Sequence, residues 1–294
     1  MHKSGFVNIV GNPNVGKSTL MNTLVGERIS IITSKAQTTR HRIMGIVNGE
    51  DFQIVYSDTP GVLKPNYKLQ ESMLGFSTSA LKDADILLYV TDTVENGMKN
   101  SDFIEKVKKQ HAPVLLIINK IDLTDQQKLE ALVAQWKEIL PNAEIIPVSA
   151  ANKFNIDYVL KRIKDLLPEC PPYFEKDALT DKPARFFVTE IIREKILTNY
   201  DREIPYAVEV VVEQFKESED RIRITAVNKV ERDTQKGIII GKGGKMLKIV
   251  GTEARKDIEA FFGKKVFLEL FVKVEKDWRN KEMKLKSFGY DADI

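Results

Sequence analysis

The nine residues "GNPNVGKST", 11 to 19, constrain the fold more than any other stretch, because they separate the apolar run "FVNIV" from "LMNTLVG". The spacing Gly11-x-x-x-x-Gly16-Lys17-Ser18 predicts a strand, a tight glycine turn and a helix whose first N–H groups converge on a phosphate. Lys17 is expected to reach the β- and γ-oxygens, and the Ser18 hydroxyl to bind Mg²⁺. Gly11, Asn12, Pro13, Asn14, Val15 and Gly16 form the cradle, with Lys17, Ser18 and Thr19 at the helix start.

A chain that opens on such a unit should continue it. Up to about residue 167, β-rich runs ("ADILLYVTD", "PVLLIIN", "EIIPVS") alternate with amphipathic stretches near 101–110, from 125 and from 155. That order predicts an α/β fold, a P-loop domain with a mostly parallel doubly wound sheet. The exception is "RIMGIVNGEDFQIVYSD", two strand-like runs around "NGED", expected as an antiparallel hairpin at the sheet edge.

Three further motifs follow in order, each at the end of an apolar run. "YSDTPG" supplies Asp58, a carboxylate suited to hold Mg²⁺ through water, then Thr59, Pro60 and Gly61, whose N–H would meet the γ-phosphate. In "NKID", Asp122 can accept from both N1–H and the exocyclic amine of guanine, a donor pair that adenine lacks. Asn119 would tie the loop together and the Lys120 stem would cover the base. Ser149, Ala150 and Ala151 would offer N–H groups to the guanine oxygen. The nucleotide expected is therefore GTP or GDP with Mg²⁺. Between helix and hairpin, "ISIITSKAQTTRHR" offers Thr38 or Thr39 as the hydroxyl that completes the metal shell only when γ-phosphate is present; the sequence leaves both open, with Thr39 preferred. Val62 stands where many small GTPases carry a water-orienting glutamine, so slow intrinsic hydrolysis is expected.

"LPECPPYFEKDALTDKP", 167 to 183, is rich in proline and turn formers. The expected division is a nucleotide domain over 1–170, a linker over 171–183 and a smaller α+β domain with a C-terminal tail over 184–294. In the last, "GIIIGKGGKMLKIVG" sets a GxxG turn between an isoleucine run and an amphipathic helix. Helix, strand, strand, helix, helix, strand is the order of a type II KH domain, which binds single-stranded RNA. Ile240, Gly241, Lys242, Gly243, Gly244 and Lys245 are its candidate contacts, the isoleucines being expected to floor the groove. Basic residues in "RIRITAVNKVER" are mixed with acids and read as solvated faces. Trp278 reads as a packing anchor, and His41 and His111 show no metal-ligand spacing.

Charge names no partner, since 45 basic against 42 acidic side chains leave a net charge of +3, so any nucleic-acid footprint is local. One cysteine, Cys170, and the lack of an opening signal-like segment lead us to expect a reducing, cytoplasmic setting.

The four nucleotide motifs, with "KAQTTRHRIMGI" and "IIIGKGGKMLKIVGTEARKDIE", closely resemble the bacterial Era family of TRAFAC-type GTPases, over nearly the whole chain. The resemblance implies a GTP-hydrolysing switch that grips the 3′ end of 16S ribosomal RNA, assists maturation of the 30S subunit and lies partly at the inner face of the membrane. It also implies a hydrophobic residue at Val62 and, by similarity to related GTPases, K⁺ held by Asn14. The catalytic set is then Asn14, Lys17, Thr39, Asp58 and Gly61. A monomer that does not bind DNA is expected. The alternative reading is a constitutive RNA-binding chaperone whose nucleotide domain senses without appreciable turnover, and a third is a membrane or cell-division adaptor.

Overall fold

The computed structural model describes residues 1–94 and 99–291, which divide by their contacts into one unit of residues 1–66 and 70–181 and another of 67–69 and 182–291. In the first, β1 (Lys3–Gly11) leads through the glycine turn into α1 (Lys17–Val25). There follow β2 (Ile43–Asn48), β3 (Phe52–Asp58), α2 (Lys68–Lys82), β4 (Ile86–Asp92), α3 (Ser101–Lys108), β5 (Val114–Asn119), α4 (Gln126–Ile139), β6 (Glu144–Pro147) and α5 (Ile156–Leu166).

The sheet order is β2-β3-β1-β4-β5-β6; β2 runs antiparallel to β3 at one edge and every other pair is parallel. Helices cover both faces, so β4 is buried along its whole length and reads as an unbroken apolar run rather than an alternating one. Parallel pairing also brings the C-terminal ends of the strands to one side of the sheet, where an open α/β sheet collects its ligands. The register sets Ile9 beside Asp58 and Asp92 beside Asn119, aligning three of the sequence motifs and a fourth strand end.

The turn-rich stretch expected as the linker is stitched to the first unit for most of its length. The Cys170 N–H bonds to the His2 carbonyl, the Gln53 amide exchanges bonds with Tyr173 and Phe174, and the Ile46 N–H and Met44 carbonyl are met by Leu179 and Thr180. The last two bonds satisfy backbone groups on the edge of β2 that would otherwise be unpaired. The contact division accordingly falls after Asp181.

In the second unit α6 (Ala184–Asn199), the short α7 (Ile204–Ala207), β7 (Glu209–Glu217), β8 (Arg221–Val230), α8 (Asp233–Ile240), α9 (Lys245–Phe262), β9 (Lys265–Val274) and α10 (Glu282–Ser287) follow in order. β8 lies between an antiparallel β7 and a parallel β9; the parallel pair requires a crossover, which α8 and α9 supply. Val250, Ala254 and Ile258, four residues apart on α9, are fully buried against Ile222, Ile224 and Ile192. This is the type II KH topology. Trp278 is fully buried with its indole N–H on the Ala207 carbonyl at 3.0 Å, a packing anchor as expected.

Candidate functional site

The glycine turn encloses the Lys17 ammonium, which is buried and donates to the carbonyls of Gly11 (3.1 Å) and Asn12 (2.7 Å). Gly16 has φ 94°, and a Cβ there would fall 2.2 Å from the Asn119 amide nitrogen, so both its conformation and its neighbour require glycine. Val15 is buried, and Asn14 stands at φ 64° with its side-chain amide donating to the Ser34 carbonyl at 3.1 Å. Pro13, Asn14, Lys17, Ser18, Thr19 and Thr39 line a cavity of about 400 Å³, with Gly61 and Lys120 at its border.

At one side of this cavity three oxygen groups meet. The Ser18 hydroxyl donates to Asp58 Oδ2 at 2.7 Å, Thr39 Oγ1 lies 2.9 Å from Ser18 Oγ, and Thr39 also donates to Asp58 Oδ2 at 3.3 Å. Asp58 is wholly buried, and its Oδ1 has no partner among the described residues. Burial pushes its carboxyl above the ordinary value, with Ser18 and the charge of Lys17 pulling part of the shift back. An orphaned buried carboxylate oxygen beside two hydroxyls is a hard, all-oxygen donor set, which fits Mg²⁺. Among the described residues no group of three or more His, Cys, Asp or Glu side chains could hold a metal ion. Of the two threonines it is Thr39 that meets Ser18 and Asp58, whereas the Thr38 hydroxyl turns to Thr33 (2.6 Å) and donates to the Lys35 carbonyl (2.6 Å).

Beyond β3, the Thr59 hydroxyl donates to the Ile9 carbonyl at 2.8 Å and the Pro60 carbonyl accepts from Ser77 at 2.7 Å. A Cβ on Gly61 would lie 2.6 Å from the Pro13 Cα, which explains glycine at the point where this loop crosses the phosphate turn. The Val62 side chain is buried in the core and its N–H bonds to the Gly11 carbonyl at 3.1 Å. The Asn100 amide bridges the Val62 carbonyl (2.8 Å) and the Asn12 side chain (2.7 Å), a link that no motif spacing announces.

On the far side of the cavity, the Asn119 amide donates to the Val15 carbonyl (2.9 Å) and its oxygen accepts from the Ala150 N–H (3.0 Å), tying three loops. Lys120, at φ 60°, donates to the Asn14 carbonyl and to Asp92. Asp92 was not among the sequence candidates, although its place at the end of a buried strand is the signal the other motifs share. Asp122 is exposed and accepts from the Ser149 hydroxyl at 2.5 Å. In this structure the Ser149 N–H bonds to the Phe154 carbonyl at 3.3 Å and the Ala150 N–H to the Asn119 side-chain oxygen at 3.0 Å.

In the second unit the turn between α8 and α9 has Gly241, Gly243 and Gly244 at φ 71°, 60° and 75°. Nothing lies within 4 Å of a Cβ placed on Gly243 or Gly244, so the backbone conformation is the requirement there. Lys242 and Lys245 are exposed on either side. A groove of about 380 Å³ runs from Gly244 between α9 and β9, with Leu247, Gly251, Leu268 and Leu270 as its floor and Lys248 and Arg255 at its rim. Ile239 is fully buried in the core and Ile240 packs against it, so the expected isoleucine floor is replaced by leucines, two of them from a strand distant in sequence.

The chain matches the family model described as 50S ribosome-binding GTPase over residues 6–120 and that described as KH domain over residues 203–279. Among solved structures it is similar to Era in complex with MgGDPNP and nucleotides 1506–1542 of 16S ribosomal RNA, at 38% identity and a TM-score of 0.94, covering 99% of each chain. It is also similar to a variant of Aquifex aeolicus Era bound to GDP·AlF4⁻, at 38% identity and a TM-score of 0.92, covering 98% of this chain and 99% of that one.

Proposed function

This chain belongs to the Era family of GTPases and hydrolyses GTP, and from that premise we propose that it is a switch whose nucleotide state governs the grip of its KH groove on the 3′ end of 16S ribosomal RNA. The observation that carries the reading is the meeting of Ser18, Thr39 and Asp58 at one edge of the phosphate cavity. Thr39 belongs to the long segment between α1 and β2, so one hydroxyl makes that segment responsive to what occupies the cavity.

Each residue then has a task. The N–H groups of the 11–16 turn and the start of α1 hold the β-phosphate, and Lys17 turns its ammonium from loop carbonyls to phosphate oxygens. Ser18 and Thr39 would hold Mg²⁺ directly and Asp58 through water; the ion supplies charge that stabilises the phosphates as they separate. Gly61 would present its N–H to the γ-phosphate. With Val62 in the glutamine position, no side chain of that loop orients water, and Asn14 would hold a K⁺ whose charge stands in for an arginine finger. Asp122 and the Ala151 N–H would read guanine. On the second unit, Lys242 and Lys245 would meet phosphates while bases enter the leucine-floored groove.

Family membership supports the finer assignments: maturation of the 30S subunit, a monomer, and the cytoplasm. Among the described residues no helix is long and apolar enough to cross a membrane, so membrane contact would be peripheral.

The test is titration of a single-stranded RNA matching the 16S 3′ end with GTP analogue, GDP and no nucleotide, at one stated salt concentration. Tighter binding with the GTP analogue is expected. Identical affinity in all three states would reject the switch in favour of a constitutive RNA chaperone.

A further inference from the structure

By sequence the basic residues of "RIRITAVNKVER" are interleaved with other types, but the sheet sorts them. The antiparallel register sets Lys216 beside Arg223, and the parallel register sets Arg223 beside Phe267 and Arg221 beside Lys265. All five side chains are exposed, on the face opposite that on which Ile222, Ile224 and Val266 are buried. Phe267 is 52% exposed, and the Arg223 guanidinium stands 5.5 Å from its ring centroid. Lys216, Arg221 and Lys265 have no ion-pair partner among the described residues. Glu269, the acid in the next row, accepts instead from Thr225 at 3.4 Å.

A half-exposed aromatic ring on a solvent-facing strand leaves about half of its apolar surface in water, and four neighbouring cations repel one another in the free protein. Both costs turn to advantage with one class of ligand. Phosphates neutralise the cations, and an unpaired base stacks on a phenylalanine ring or on a guanidinium plane. The position of β9 favours RNA over other polyanions: it is an edge strand, and its opposite face carries Leu268 and Leu270 of the groove. A strand leaving the groove over that edge arrives at Phe267.

We propose that the outer face of the three-stranded sheet, centred on Phe267 and Arg223, is a second contact for single-stranded RNA, taking nucleotides that extend beyond the groove. The proposal rests on the reading of the groove itself as an RNA site.

The experiment measures full-chain binding, at fixed salt, to a short oligonucleotide of the 16S 3′ end that fills the groove and to the same oligonucleotide extended at each end with uridines. The wild type should bind the extended RNA more tightly. Phe267→Ala should weaken that binding roughly tenfold, the scale of one lost base stack, and leave the short RNA unchanged. Phe267→Trp should restore it, and Arg223→Gln with Lys265→Gln should flatten the salt dependence on the extended RNA alone. Equal affinity of the wild type for the two RNAs, or variants that bind the extended RNA like the wild type, would overturn the proposal and leave the patch to a protein partner. A loss that is the same on both RNAs would overturn it too, since that marks damage to the domain. Failure of the wild type to bind even the short RNA would instead reject the groove reading beneath it.

Discussion

The Lys120 ammonium lies 2.6 Å from Asp92 Oδ2 and 2.5 Å from the Asn14 carbonyl, so a carboxylate at the end of β4 holds Lys120 against the 11–16 turn. Asp92 is nearly buried and Lys120 is not, which makes the aspartate the fixed member of the pair. Asp92→Asn should weaken GTP and GDP binding alike by about 1.5–3 kcal/mol, the worth of a hydrogen bond to a charged group, with kcat little changed. Nucleotide titration and single-turnover hydrolysis check it; a fall in kcat with affinity intact would contradict the positioning role.

Asp122 accepts from the Ser149 hydroxyl at 2.5 Å and is exposed to solvent. Asp122→Asn replaces an acceptor by a group that can donate, and so should shift preference from guanine toward xanthine nucleotides, which carry a carbonyl at that edge. Competition between GTP and XTP for the variant measures the shift, and an unaltered GTP preference would refute the assignment of the base.

The Tyr56 hydroxyl is fully buried and has no hydrogen-bond partner among the described residues, and burial raises its pKa far above the ordinary phenol value. An unsatisfied buried polar group costs about 1–3 kcal/mol, so Tyr56→Phe should leave the protein equally stable or more stable by up to that amount. Thermal unfolding of the two proteins tests this; a clear loss of stability in the variant would mean that the hydroxyl is bonded.

Glu144, at the start of β6, takes three bonds from the Arg162 guanidinium, Nε at 2.9 Å to Oε1 and 3.0 Å to Oε2, and Nη2 at 2.9 Å to Oε2. Those hydrogen bonds hold its pKa below the ordinary carboxylate value. A depressed folded-state pKa contributes stability above the unfolded pKa, about 4.3 for Glu, and loses it as pH falls through the folded value. The pair is partly exposed and screened, so Glu144→Gln should cost at most about 1 kcal/mol at neutral pH. Urea unfolding across pH should show the difference between wild type and variant shrinking in acid; a difference independent of pH would exclude the ion pair as its source.

What the sequence alone determined is what short-range spacing encodes. Gly11 to Ser18 must form a strand, turn and helix because those residue types in that order permit little else, and "NKID" pointed to guanine by the chemistry of one carboxylate. The KH order was legible for the same reason, each element carrying its own period and each turn its own glycines. The tertiary structure decided whatever depends on strands meeting across long stretches of chain. Thr39 and not Thr38 reaches Asp58 because of how the segment folds back on α1. Asn119 meets the Val15 carbonyl and the Ala150 N–H because three loops distant in sequence converge there. Asp92 joins the site because β4 pairs with β5 in a register that no local pattern reveals. The groove floor shows the same limit, since Leu268 and Leu270 read only as strand residues until the parallel pairing of β8 with β9 points them at α9. That pairing also gathers Arg221, Arg223 and Lys265 around Phe267, because alternate residues of a strand share a face only after the sheet has formed.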